Sequence, residues 1–513
     1  MAQQIQTYSI TAPGFYGLNT QDSSLDLAAG FALVANNCVI DQYGRVGARK
    51  GWQPVNSAST PLGTADIKAI GQLVMDDGTE YVVCAGNNKL FRLTGSTLTE
   101  LTYGGGGSAP TITDSNWQIA VLNEVAYFFQ IGHAPLVFDP NVSTTTYRRV
   151  TEKTGYAGTV PQADNAISAY GRIWAATTLT DKVIISFSDL LSGHIWSTGS
   201  AGTLDITSVW PKGGDTITGL GAHNGFLFIF GKNSIIVYSG ATNPSTMTLS
   251  DTVIGIGCIA RDTIQNTGSD IIFLSDTGVR SVLRTIQEKS APFRDLSKNV
   301  RNDLMSAVNG EVTKNIKSVY SPYESFYLLT LPTLKTVYCF DMKASLPDGA
   351  ARVTMWDNIQ PKSFCYLRNE DLLIGKEGYL GTYSGYQDNG VSYRFQYFTN
   401  HTDLGQPSVT TVLKKLSVVV IGGTDQFITI KWGYDFSSNY QAQTAKIPAK
   451  GVAYFGISEY NIGEYTGGTN LETLVAYPTG SGKVIQTGYE ADINGSALSI
   501  QKIEIHAKNG KVV

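Results

Sequence analysis

Residues 217–230 read ITGLGAHNGFLFIF. A polar turn, His223-Asn224-Gly225, divides a glycine-containing apolar segment from an unbroken run of aromatic and aliphatic residues, Phe226 to Phe230. Asn-Gly is favoured in tight hairpin turns because the central positions need positive φ. A short apolar run without alternation reads as a strand covered on both faces. The stretch therefore predicts a β-hairpin whose second strand is packed between two neighbours.

The same unit recurs along the chain. IGQLVM, Asp76-Asp77-Gly78 and YVVCA form one copy, and WQIAVL, Asn123-Glu124 and VAYFF the next. AISAY with IWAAT turns at Gly171-Arg172, and DTIQN with IIFLS turns at Gly268-Ser269-Asp270. IKSVYS with FYLLT turns at Pro322-Tyr323-Glu324, and SFCYL with LLIG turns at Asn369-Glu370-Asp371. Further turns follow, such as Gly86-Asn87-Asn88 before KLFRL and Gly231-Lys232-Asn233 before SIIVY. The hairpin turns are spaced at roughly 45 to 54 residues, near the period of propeller repeats. The expected fold is all-β: a β-propeller of six or seven irregular blades over 59–388. A clasp or hairpin (1–58) precedes it, and a C-terminal β-sandwich-like domain (389–513) follows.

One segment breaks the β pattern. In DLSKNVRNDLMSAV, Leu296, Val300 and Leu304 fall on one helical face. This predicts one short insertion helix near 295–308, capped by Asp295 or Ser297 and ended by Gly310. After about residue 388 the strands lengthen, as in TVLKKLSVVVIG and ALSIQKIEIHAK. Residues 462–482 read as a long exposed loop or hairpin tip, and Gly104 to Gly107 as a flexible loop inside the first repeat.

Composition narrows the function classes. Charged residues make up 16% of the 513-residue chain, against about 25% in an average domain, while glycine (54) and tyrosine (27) are abundant. The net charge of −4 argues against general nucleic-acid binding, which needs a basic face. Cysteines 38, 84, 258, 339 and 365 are scattered and odd in number, so buried reduced thiols are expected. MAQQIQTYSITAPGF has no basic and apolar leader pattern, and no apolar run approaches the ~20 residues of a membrane span.

Catalytic signatures are missing. His133, His194, His223, His401 and His506 are solitary, so no metal ligand set is expected. There is no GxSxG elbow, and GGGG lacks the Lys-Ser/Thr of a phosphate loop. Asp76-Asp77-Gly78 and Asp276-Thr277-Gly278 lack the flanking Ser and Trp of sialidase Asp-boxes. No catalytic, cofactor or metal residue is assigned, and a non-enzyme is expected. Trp117, Trp174, Trp196, Trp210, Trp356 and Trp432 are the aromatics that could stack on sugars. Trp174 reads as core, whereas Trp196 and Trp210 fall in loop-like stretches. Arg148-Arg149 and Lys414-Lys415 read as solvated faces or interface ion pairs.

The N-terminal stretch GFYGLNTQDSSLDLAAGFALVANNCVIDQYGRVGARKGW, residues 14–52, is a Gly-rich lead-in followed by a hairpin turning at Asp41-Gln42-Tyr43-Gly44. Its Gly17-Leu18-Asn19-Thr20, Ala35, Asn36 or Asn37, Gly44, Arg49 and Gly51-Trp52 resemble the N-terminus of the nozzle (tail tubular protein B) family of short-tailed bacteriophages. Lys50 stands where many members carry Pro. APFRDLSKNVRNDL and LSIQKIEIHAKNGK similarly resemble segments of that family.

The resemblance implies a propeller joined to further β-domains, in a structural virion protein. Six copies would form a ring below the adaptor ring on the portal side. The ring would extend the DNA-ejection channel, help retain the genome and anchor tail fibres or spikes. Double-stranded DNA would pass without sequence recognition, with no cofactor and no membrane anchor. The protein would be made in the host bacterial cytoplasm and reside in the virion. A carbohydrate-binding or glycoside-cleaving propeller, a lectin or glycosidase, is the alternative. It would want acids at the propeller mouth, whereas a nozzle would want loops reaching a shared axis. The closing strand of the propeller is expected from the N-terminal hairpin, with Val46 to Arg49 pairing in the last blade.

Overall fold

The computed structural model describes residues 5–113, 116–177, 182–282, 295–405, 408–448 and 471–512. All seven predicted hairpins form, each as the first two strands of an antiparallel blade. Asn224 and Gly225 both take positive φ, 48° and 81°, as a primed turn requires.

Blade 1 runs Ile67–Val74, Glu80–Gly86, Lys89–Thr94 and Thr97–Glu100. Blade 2 runs Gln118–Leu122, Val125–Phe129, Leu136–Phe138 and Thr146–Arg149, with Thr102–Tyr103 added in parallel to its outer strand. Blade 3 is Asn165–Ala169, Arg172–Ala176, Ile184–Phe187 and Gly202–Asp205, and blade 4 is Ile217–His223, Phe226–Gly231, Ser234–Ser239 and Thr248–Ile254. Blade 5 has Gln265–Asn266, Ile271–Ser275 and Gly278–Ser281 among the described residues. Blade 6 is Lys317–Ser321, Phe326–Leu331, Thr336–Asp341 and Arg352–Trp356, and blade 7 begins Ser363–Tyr366, Leu372–Gly375, Leu380–Tyr383.

The first strand of each blade neighbours the first strand of the next, and that of blade 7 lies against that of blade 1. The ring therefore closes as a propeller of seven blades. The second strands of blades 2, 3 and 5 are buried at every residue, because a neighbouring blade covers each face.

Blade 7 takes its fourth strand from far upstream. Trp52–Pro54 pairs antiparallel with Gly381 to Tyr383. The expected donor, Val46 to Arg49, lies elsewhere: Val46–Ala48 pairs with Cys38–Ile40, and Val46 and Gly47 also pair with Ile500 and Ser499. The shift has a local cause. At Gly51 the backbone passes so close to Gln387 that a Cβ would sit 1.9 Å from its carbonyl oxygen. Pairing with blade 7 resumes only beyond this crossing.

The remaining strands make a β-sandwich. One sheet holds Ile5–Thr11, Cys38–Ile40, Val46–Ala48, Val409–Gly422, Leu471–Ala476 and Leu498–Val512. The other holds Gly17–Leu18, Phe31–Asn36, Tyr393–Thr399, Phe427–Tyr434, Gln441–Lys446 and Ile485–Ile493, and it is continuous with blade 6. Leu416, Val418, Ile503 and Ile505 of the first face Phe395, Tyr397, Ile430 and Tyr489 of the second in one core. The strands of residues 5–54 are thus shared between both sandwich sheets and the last blade. Leu471–Ala476 is a strand where a loop was expected, and 462–470 lie outside the described residues.

The helix α1, Arg301–Asn309, follows a 3-10 turn at Lys298–Val300. It buries Leu304 and Val308 and ends at Gly310. Neither expected cap acts as one: the residue before the helix is Val300, and no side chain caps it. The 3-10 turn displaces the helix start, which frees Ser297 Oγ to accept from Val279 N at 3.0 Å and Asp295 to accept from Arg301 Nε at 2.8 Å. The GGGG loop is pinned. Gly106 N donates to Glu152 Oε1 at 3.1 Å and Arg149 Nη2 to Ser108 O at 2.5 Å, and a Cβ on Gly105 would meet Glu152 at 2.1 Å.

Propeller and sandwich are joined around Arg49, whose side chain has no exposed surface. Its Nη1 and Nη2 donate to Asp388 Oδ1 and Oδ2 at 2.9 and 2.6 Å, and Nε to Asn37 Oδ1 at 2.9 Å. Nη2 also donates to Asp357 O at 3.2 Å, and the guanidinium lies 4.0 Å over the Tyr393 ring. Asn37, in the left-handed region at φ 54°, donates to Asp357 Oδ1 and Arg394 O, both at 2.6 Å. Burial by itself would lower the pKa of Arg49, but Asp388 raises it above the ordinary value.

Two predictions follow from this joint. Arg49→Met strands the Asp388 carboxylate and should cost about 3–5 kcal/mol in denaturant unfolding. Arg49→Lys should recover little of it, because a single ammonium cannot reproduce the two-pronged contact.

Lys376 lies over the Trp52 ring at 4.8 Å with its ammonium on Ile359 O. Burial pushes it down to about 8 from 10.5. Between those values the unfolded chain holds the extra proton, so stability rises with pH. Wild-type stability relative to Lys376→Met should therefore increase by about 3 kcal/mol from pH 8 to 10.5, read by denaturation at stepped pH.

Candidate functional site

The inner strands of the propeller all start at the same end of the central channel, so the residues just ahead of them form one mouth. Asn116 stands ahead of blade 2, Asp164 of blade 3, Arg261 and Asp262 of blade 5, and Lys362 of blade 7. Lys68 and Lys317 lie at the starts of the inner strands of blades 1 and 6.

Long side chains bridge this mouth. Arg261 Nη2 donates to Trp117 O of blade 2 at 3.0 Å, and Nη1 reaches Asp164 O of blade 3. Its Nε and Nη2 also hold the two oxygens of Asp262, each at 2.9 Å. From blade 6, Lys317 Nζ donates to Asn116 Oδ1 at 2.6 Å and pairs with Asp262. The contacts of Arg261 with Trp117 and of Lys317 with Asn116 run between blades on opposite sides of the ring. The channel of the single propeller is therefore crossed by protein at this end.

The electrostatics of the crossing are one-sided. Burial would raise the Asp262 carboxyl, but Arg261 and Lys317 hold it well below the usual range. Burial lowers the pKa of Lys317, and Asp262 opposes that. A carboxylate so paired favours its ionised form. Beside the crossing lies a cavity of about 170 Å³, lined by Asp66, Lys68, Asn116, Lys314, Lys317 and Lys362 among others.

A second recess, about 380 Å³, opens between propeller and sandwich. Tyr43 of the N-terminal hairpin and Tyr323 of the blade 6 turn are 61% and 65% exposed and line it with Tyr383 and Tyr386. Lys50 Nζ meets Glu324 Oε1 there at 2.5 Å.

The aromatics singled out from sequence are placed differently. All seven tryptophans are buried, so Trp117, Trp174, Trp196, Trp210, Trp356 and Trp432 offer no exposed stacking face. Trp196 Nε1 donates to Gly193 O at 3.1 Å and Trp356 Nε1 to Cys38 O at 2.7 Å. Cys84, Cys258 and Cys365 are thiols pushed up to about 12 by burial. Arg149 is tied to Glu152 at 3.4 Å and stacks over Tyr103. Among the described residues, no three His, Cys, Asp or Glu gather as a metal site would need, and no helix is long and apolar enough to cross a membrane. The mouth residues escaped sequence reading, although a polar residue recurring ahead of each inner strand was a usable signal.

No family model matches the chain, and no curated protein does. Solved structures are similar to parts of it at low identity. PorZ, an essential surface component of the type-IX secretion system of Porphyromonas gingivalis, is 11% identical, with 64% of this chain and 37% of that one covered at a TM-score of 0.36. The extracellular domain of a putative one-component system from B. thetaiotaomicron is 11% identical, with 88% and 61% covered at 0.42. The Neurospora crassa Pan2 WD40 domain is 9% identical, with 65% and 96% covered at 0.40. The chain spans less than two thirds of the length of the first two. The seven-bladed assignment rests on the closed ring of inner strands.

The crossing predicts a measurable coupling. Asp262→Asn and Lys317→Met should each destabilise the fold by about 3–5 kcal/mol. The double variant should lose less than the sum, as a double-mutant cycle by urea unfolding would read.

Proposed function

We propose that the chain is a structural virion protein, the nozzle subunit of a short bacteriophage tail. The observation that carries the reading is what the N-terminal motif does. Gly17, Arg49, Gly51 and Trp52 of the resemblance, with Asn37 where it had Asn36 or Asn37, lie where propeller and sandwich meet. Gly17, at φ 77°, lets its backbone pair with Val353 of blade 6, where a Cβ would fall 2.5 Å from the Val353 carbonyl oxygen. Thr20 N donates to Asn299 O at 2.9 Å, so the motif also touches the second family-like segment before α1.

In this reading six copies ring a channel below the adaptor, and the blades and sandwich are its wall. The crossed propeller mouth supports placing that channel between subunits, not inside one. Outer surfaces carry fibres or spikes, and the chain does no chemistry of its own.

The exposed tyrosines between propeller and sandwich favour a second reading, a carbohydrate-binding propeller. Ring faces beside Lys50 and Glu324 suit a sugar, with apolar faces to stack on and polar groups to fix orientation.

Immunogold electron microscopy of virions from a lysate containing the protein separates the two. Label at the distal end of a short tail is the expected result. Virions without label overturn the nozzle reading, and glycan-array binding lost in Tyr323→Ala would then establish the second.

A further inference from the structure

We propose that the recess between propeller and sandwich binds an uncharged sugar, a mono- or disaccharide without acid or amine groups. The proposal rests on the second reading above and narrows it to a neutral ligand.

Both bodies of the molecule build this recess, and its volume of about 380 Å³ is that of a small-molecule pocket. Its two most exposed rings, Tyr43 and Tyr323, sit on turns that are already fixed. Tyr43 N donates to Asp41 Oδ1 at 2.8 Å, and Gly44 N to Asp41 O at 3.0 Å. Beside Tyr323, Glu324 N donates to Ser321 Oγ at 3.3 Å and Ser325 Oγ to Pro322 O at 3.0 Å. The Arg45 guanidinium lies 4.2 Å over the Tyr43 ring and the Lys50 ammonium 5.7 Å over that of Tyr323, which backs each ring on one face and leaves the other to a ligand. Rings held in this way lose little freedom when a ligand settles on them.

The charges of the lining are balanced within the protein. Four lining side chains are ionised: Asp41, Lys50, Glu324 and Lys343. Asp41 Oδ2 lies 2.8 Å from Arg45 Nε, Lys50 meets Glu324, and Lys343 Nζ lies 3.4 Å from Asp341 Oδ1. Burial pushes the phenols of Tyr383 and Tyr386 up, so both remain neutral. A charged ligand would have to displace a partner from one of these pairs, whereas a neutral one leaves all of them in place. A pyranose ring combines an apolar C–H face, which stacks on an aromatic ring, with a rim of hydroxyls that need polar partners. Gln42, Ser499 and the Lys50–Glu324 pair supply such partners around the tyrosines.

Saturation-transfer NMR on the full chain tests this with the methyl glycosides of glucose, galactose and mannose and with maltose and lactose, beside glucuronate and glucosamine. Saturable binding of at least one neutral sugar is expected, with its charged counterparts weaker by about tenfold or more. Tyr43→Ala and Tyr323→Ala, at exposed positions where the fold is retained, should each weaken it by about tenfold or more. Tyr323→Phe, which keeps the ring, should bind, and so should Tyr477→Ala, just past the sandwich strand Leu471–Ala476. No neutral sugar bound, or equal affinity in wild type and Tyr323→Ala, overturns the proposal. Glucuronate or glucosamine bound more tightly than the neutral sugars overturns it and leaves the second reading standing. A decaproline peptide that binds the recess where no sugar does overturns both, and none of these outcomes bears on the label at the tail.

Discussion

Everything in this molecule passes through one buried guanidinium. An arginine without solvent is costly unless each of its donors is met and its charge is paired. Arg49 meets both conditions with groups from separate parts of the fold: Asp388 beyond blade 7, Asp357 at the end of blade 6, and Asn37 beside the sandwich. Tyr393, at the start of the first long sandwich strand, covers its face. No subset of these units satisfies it, so propeller and sandwich have one relative position at which the charge is tolerated.

The propeller was largely legible because its information is local. Each hairpin carries its own turn residues and its own doubly covered strand, so seven copies could be counted from sequence. Helix α1 was legible by its periodicity, but its start was not, since Ser297 serves Val279 and not the helix. The closing strand was legible as a source and misplaced in register. Nothing in VGARKGW announces that Gly51 must slip past Gln387 before pairing with blade 7 begins.

The candidate sites were less legible, for a physical reason. Trp196 and Trp210 look exposed in loop-like sequence, yet both are buried, Trp196 in the loop between the third and fourth strands of blade 3 and Trp210 in the link to blade 4. Lys68, Lys317 and Lys362 are far apart in sequence and show no motif, and only ring closure brings them to one cavity. A propeller gathers chemistry by symmetry of position, one residue from each repeat, which a linear pattern search does not see. Asp262 illustrates the same point: a lone acid in sequence is a bridge clamped between Arg261 and Lys317 in the fold.

The pairing of Ile5–Thr11 with residues 502–508, and of Trp52–Pro54 with blade 7, sets an order on synthesis. Ile5–Thr11 and Trp52–Pro54 leave the ribosome long before their strand partners exist. Blades 1 to 5 can stack as they emerge, but the ring stays open until blade 7 is made, and the sandwich stays without a core until residues 498–508 arrive. Ile5–Thr11 waits for residues 502–508 and Trp52–Pro54 for residues 381–383, each open to other chains until then. Apolar strands left open in this way are prone to misassembly, and the ring can close at blade 7 before the sandwich acquires residues 498–508.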